Sequence, residues 1–202
     1  MQGGPLTLDP LNGRGERLPI GVIMLNLILS LFTVGLLQAE DCQKFPVYCH
    51  ILKNNPKINK NYAKELASII RRRAAHYEIN PFLVSAIFMQ ESTYNHKAKN
   101  CTEGLVEVNI PDNKGLERLI YFEGNTCRDF GIGQINYKTI VAYDLHPYRL
   151  INDLEYSVEQ TIKILRTYKR VYGSKEKYWW TRYHSSTQEY AEKYRKDVLR
   201  WL

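Results

Sequence analysis

The stretch "AIFMQESTYN", residues 86–95, sets a lone carboxyl group, Glu91, at the end of an apolar run. Asn80 and Pro81 precede the run as two helix-start signals, a capping side chain and then a ring suited to the first helical position. On the helix they begin, Val84, Ile87, Phe88 and Glu91 share one face at steps of three and four. Glu91 therefore points where core residues point. Burial disfavours the charged form of a carboxyl group, so its pKa is expected above the ordinary carboxylate range. That is what a general acid working near neutral pH requires. A second acid, Asp129, stands in "RDFGIGQIN". There Gly131 and Gly133 let backbone approach a ligand closely, and Gln134 offers both a donor and an acceptor.

Other chemistries find little support. The five histidines have no metal-ligand spacing and no two cysteines stand two residues apart, so neither a metal site nor a cofactor is expected. No glycine-rich phosphate cradle occurs. Asn100, Cys101 and Thr102 form a glycosylation sequon, relevant only in a host that glycosylates.

The elements that would position these groups are mostly helical. "NYAKELASIIRRRAAHY" places Leu66, Ile69, Ile70 and Ala74 on one side of a helix and basic residues on the other. "YKTIVAYD" reads as a short helix. "LEYSVEQTIKILRTYKRVYG" reads as a long one with Leu154, Val158, Ile162 and Leu165 as its apolar stripe and Gly173 as its stop. The tail carries Tyr190, Tyr194, Val198 and Trp201 on one inward face. Between residues 101 and 128 the helical period is lost. "LVEVNI", the turn "PDNKG" and "ERLIYFE" predict a small β-hairpin whose base Cys101 and Cys127 would tie.

Residues 1–39 differ in composition from the rest. Arg14 and Arg17 precede an apolar stretch, Leu18–Leu37, long enough to cross a bilayer, and Ala39 ends it. This reads as a secretory signal cleaved after Ala39, with a membrane anchor through residues 18–38 as the alternative. Residues 40–202 are then one exported domain, periplasmic or extracellular. All four cysteines, Cys42, Cys49, Cys101 and Cys127, fall on the exported side, as two disulfides would. Three pairings are open, and the local one, Cys42 with Cys49 and Cys101 with Cys127, is preferred. The formal charge of +7 also belongs to the exported part. It suits an anionic partner, and charge does not choose between wall glycan, lipid head groups and nucleic acid. No helix joins a uniformly basic face to a recognised nucleic-acid motif, so nucleic acid is not an expected partner.

Three blocks in order resemble the lysozyme-like soluble lytic transglycosylases, enzymes of bacterial cell-wall glycan. "NPFLVSAIFMQESTYN" is similar to the helix ending in the family's Glu-Ser, and "DFGIGQIN" to its Gly-Leu-Met-Gln block. "RYHSS" sits where the family carries Ala-Tyr-Asn, with His184 in the place usually held by Asn. The likeness covers about residues 62–200. It implies an α+β, predominantly α, lysozyme-like fold with the small hairpin beside the cleft. It also implies Glu91 as catalytic acid and base, Ser92 as a substrate-binding residue or a hold on the local turn, and Gln134, Tyr183 and His184 as substrate-binding residues. The implied substrate is peptidoglycan, cleaved between N-acetylmuramic acid and N-acetylglucosamine to a 1,6-anhydromuramyl end. "RDFGIGQIN" also looks like an animal-type lysozyme block, which would make Asp129 a second carboxylate and the reaction a hydrolysis. A third reading is a non-catalytic glycan-binding part of an envelope-crossing machine for secretion, conjugation or phage entry.

Overall fold

Asn80 does cap a helix. Its side-chain oxygen accepts from the amides of Phe82 and Leu83 at 2.8 and 3.4 Å, and Pro81 takes a first-turn position where a missing N–H leaves nothing unpaired. The computed structural model describes residues 42–103, 120–122 and 125–202. The chain divides into two compact units, Met1–Gln43 and Lys44–Leu202. The apolar stretch at 18–37 lies outside the described residues. Among those described, no helix is long and apolar enough to cross a membrane.

The second unit is α+β and mostly helical. Its helices are α1 (Pro46–Asn54), α2 (Lys60–His76), α3 (Pro81–Ser92), α4 (Tyr137–Ala142), α5 (Pro147–Asn152), α6 (Leu154–Tyr172) and α7 (Gln188–Leu199). A 3-10 turn, Trp179–Tyr183, precedes α7. The middle of α3, Leu83 through Phe88, is buried, and the helix packs against α1, α2 and α7. α2 buries the expected stripe, Leu66, Ile69, Ile70 and Ala74, and α6 buries Val158, Ile162 and Leu165. These helices share the larger hydrophobic core, while β3, β4, α4, α5 and part of α6 build a smaller one around Phe130, Ile135 and Leu150. The described residues of both cores lie between Val47 and Val198, within residues 40–202.

The strands are β1 (Lys99–Glu103), β2 (Ile120–Phe122), β3 (Asn125–Phe130) and β4 (Ile135–Asn136). Among the described residues the pairings are antiparallel and each runs to β3. A small antiparallel sheet is present where the hairpin is expected, and Cys101 and Cys127 tie its strands. "LVEVNI" and "PDNKG" lie outside the described residues, and the described part of "ERLIYFE", Ile120–Phe122, pairs with β3. β3 itself, "NTCRDF", carries residue types that read as a turn. Backbone ladders on both sides and the Cys101–Cys127 bond, which joins residues facing each other across β1 and β3, hold it extended. Cys42 and Cys49 are also disulfide-bonded, so no cysteine is free.

The tail departs from its expected face at one position. Tyr194 and Val198 are buried and Trp201 packs against the core, whereas Tyr190, one turn earlier, is 57% exposed. Trp180 is buried in the larger core and Trp179 packs on it.

The link from β3 to β4 depends on one glycine. Gly131 has φ of +77°, and a Cβ there would meet the Leu150 carbonyl oxygen and the Ser157 hydroxyl. Gly131→Ala is expected to destabilise the protein by about 2–4 kcal/mol, combining an unfavourable backbone with a clash against α5 and α6. Urea denaturation of the two proteins measures this, and equal midpoints would refute it.

Candidate active site

Glu91 lies in the last turn of α3, where the face built by Val84, Ile87 and Phe88 runs out of the core. Its side chain is only 13% exposed. One carboxyl oxygen, Oε1, accepts from the Tyr194 hydroxyl at 2.6 Å. Burial pushes the Glu91 pKa up from 4.5 to about 7; the Tyr194 bond opposes that rise and the charge of Asp129 adds to it. The negative end of the α3 dipole acts in the same upward direction. His184 stacks on Tyr194, ring centres 4.5 Å apart and planes 6° from parallel, with Nδ1 4.0 Å from the same Glu91 oxygen. Partial burial and then the nearby Lys193 hold the imidazole below its ordinary pKa, so at neutral pH this contact is not an ion pair.

Glu91 opens into a polar cleft of about 350 Å³ together with Asp129, Gln134, Asn136, Tyr183 and His184. The size and the mixture of amides, hydroxyls and carboxyl groups suit a small polar ligand. Asp129 lies on β3 between two cross-strand neighbours. Asn100 donates to Oδ2 at 2.8 Å and Asn136 to Oδ1 at 2.9 Å, so amides hold both of its oxygens.

The 131–134 turn forms one wall. Ser92 donates to the Ile132 carbonyl at 2.8 Å, and the Ile132 amide donates to Ser157 at 3.3 Å, so α3 and α6 both fasten the turn. Ser92 thus ties the end of α3 to this turn, and it is not among the cleft-lining residues. Gln134 has φ of 47°, a left-handed backbone uncommon for a side chain of this size. Its amide nitrogen donates to the Gly131 and Ala98 carbonyls at 2.9 and 3.2 Å, and its side chain borders the cleft. Thr93 and Tyr94, just after Glu91, are left-handed too, with φ of 55° and 65°. Packing holds them there: Tyr94 is 1% exposed, its hydroxyl shares a hydrogen bond with Ser85, and its carbonyl accepts from Tyr62 at 2.8 Å.

Tyr183 packs against both hydrophobic cores, and its hydroxyl donates to the Gly133 carbonyl. Gly133 has no room for a side chain, since a Cβ would meet Thr161 and the Tyr183 hydroxyl. Burial and the charge of Glu91 push the Tyr183 pKa well above its usual value, so it remains a donor.

The site therefore brings together Glu91, Asp129, Gln134, Tyr183 and His184 at one cleft. Sequence reasoning missed Tyr194, the residue bonded to Glu91, which it had placed only on a packing face. It also missed Asn100 and Asn136 as partners of Asp129. A separation of 103 residues between Glu91 and Tyr194 leaves no local signal. Among the described residues no group of His, Cys, Asp and Glu is arranged to hold a metal ion.

A family model described as Transglycosylase SLT domain matches residues 68–197, a span that contains every cleft residue named above. No curated protein and no solved structure matches the chain.

The raised pKa of Glu91 has a signed consequence for stability. The charged carboxylate is disfavoured in the folded state, so its contribution is favourable at low pH and is lost as pH rises from 4.5 through about 7. Glu91→Gln removes the charge and keeps an oxygen for Tyr194. It should be more stable than wild type above pH 7, by up to about 3 kcal/mol, with the gain vanishing near pH 4. Thermal melts across pH measure it; a pH-independent difference would show that Glu91 ionises normally.

Proposed function

Since the chain belongs to the transglycosylase SLT domain family, whose members act on peptidoglycan, we propose that it is an exported lytic transglycosylase with Glu91 as its acid and base. The observation that carries this reading is a mostly buried carboxyl group, bonded on one oxygen by Tyr194 and bordering a polar cleft.

That geometry supports the following cycle. Protonated Glu91 gives its proton to the glycosidic oxygen between N-acetylmuramic acid and N-acetylglucosamine, and the C1–O4 bond breaks. The carboxylate left behind takes the proton from the C6 hydroxyl of the same muramic residue, whose oxygen closes on C1. A 1,6-anhydro ring forms, Glu91 ends protonated as it began, and no water is consumed. A pKa of about 7 suits both halves of this cycle. Tyr194 holds Oε1, Tyr183 keeps the 131–134 turn against α6, and His184 is a neutral polar group at the cleft edge.

One observation favours a second reading: Asp129 borders the same cleft, as the nucleophile of a retaining lysozyme-type hydrolase would. Amide donors on both oxygens stabilise its charge and make it a weaker nucleophile, so transglycosylation is preferred.

Digestion of purified peptidoglycan by residues 40–202, read by mass spectrometry, separates the readings. We expect muropeptides with 1,6-anhydromuramic ends, with Glu91→Gln slower by about 10²–10⁴-fold. Reducing ends one water heavier would instead assign hydrolysis and make Asp129 the next residue to replace. No products from either protein, with wall binding kept, would favour a glycan-binding part of an envelope machine.

The pH profile gives an independent check. Activity should fall as pH rises through about 7, where Glu91 loses its proton. Tyr194→Phe removes a bond that favours the carboxylate, so its alkaline limb should move to higher pH, by about half a unit to one unit. An unmoved limb would mean that Tyr194 does not tune Glu91.

A further inference from the structure

The charge of this protein is concentrated in one place. Residues 44–73 hold eight Lys and Arg against a single acid, Glu65, a net +7 that equals the formal charge of the whole chain. Arg72 and Arg73 bond Glu155 on α6 at 2.9 and 2.6 Å. The other six, Lys44, Lys53, Lys57, Lys60, Lys64 and Arg71, are exposed. On α2, Lys60, Lys64, Ala67 and Arg71 follow one another at steps of four, three and four, which puts them on one face.

That face borders an apolar groove. A cavity of about 200 Å³ between α1 and α2 is lined by Phe45, Val47, Tyr48 and Ala67, with Lys64 and Arg71 as its cations and no acid. Phe45 is 44% exposed at its edge. The Lys44 ammonium lies 5.5 Å from the centre of the Phe45 ring, and that of Lys64 lies 5.8 Å from the Tyr48 ring. The groove and the Glu91 cleft share no lining residue.

A hydrophilic polyanion needs the cations but has no use for an apolar groove with an exposed phenyl ring. A lipid surface uses both, with aromatic rings at the boundary between head groups and acyl chains and long cationic side chains reaching the phosphates. Phe45 also follows the bilayer-length stretch Leu18–Leu37 by only eight residues of chain. We propose that the α1–α2 face docks on a membrane of anionic phospholipid, with Phe45 and Tyr48 at the head-group boundary and Lys44, Lys60, Lys64 and Arg71 on lipid phosphates. The inference stands apart from the catalytic reading, because it uses no cleft residue.

Vesicle co-sedimentation tests it with residues 40–202, which hold both cores and all four cysteines and lack the apolar stretch, so that the stretch cannot itself insert. Vesicles of roughly three parts phosphatidylcholine to one part phosphatidylglycerol should bind at least about tenfold more tightly than phosphatidylcholine alone. The triple variant Lys60→Glu, Lys64→Glu, Arg71→Glu should lose about a hundredfold, and Phe45→Ser about fivefold in salt that screens the charges. Both variants should digest peptidoglycan at the wild-type rate if the catalytic proposal holds. Equal binding to both vesicles, variants that bind like wild type, or retention on purified wall polymer without vesicle binding would each overturn the proposal.

Discussion

A carboxyl group kept mostly out of water at the end of a buried helix is the constraint to which the rest of the site answers. Taking Glu91 out of solvent is unfavourable for its charged form, and among the described residues one strong donor, the Tyr194 hydroxyl, is supplied in return. A full set of donors, or a lysine at hydrogen-bond distance, would hold the group as a permanent carboxylate. A fully apolar pocket would keep it permanently neutral. One hydroxyl, a neutral imidazole at 4.0 Å and the charge of Asp129 leave it between these limits.

The scaffold achieves this by setting two cores side by side. The helical core fixes α3, and thus Glu91, while the smaller core fixes β3 and β4, and thus Asp129 and Asn136. Tyr183 packs on both, and its hydroxyl, together with those of Ser92 and Ser157, ties the 131–134 turn to the helices. Three non-glycine residues with left-handed backbone, Thr93, Tyr94 and Gln134, occur in the two segments that border Glu91. Such conformations are retained where the surrounding packing over-determines them, as it does at Tyr94, and they commonly mark functional sites.

How much of this could be read from the chain depended on how local the cause was. The helix that presents Glu91 was legible because its cap, its proline and its apolar spacing all lie within twelve residues. The stripes of α2 and α6 were legible for the same reason. β3 was not, because "NTCRDF" has no strand pattern of its own; its extended form comes from neighbours on both sides and from a disulfide reaching across 26 residues. Gln134 was read as a free amide for ligand, whereas its nitrogen is spent on two backbone carbonyls that only the folded turn brings near. Tyr190 and Tyr194 look alike on a helical wheel. Tertiary packing leaves one exposed and sets the other on the acid.

The link between Glu91 and Tyr194 also has a temporal side. A chain is made from its N-terminal end, so the acid is synthesised 103 residues before the hydroxyl that holds it. Through that interval α3 lacks α7, one of the helices it packs against. The burial that raises the Glu91 pKa and the hydroxyl that opposes the rise are therefore both complete only once the last helix has been made.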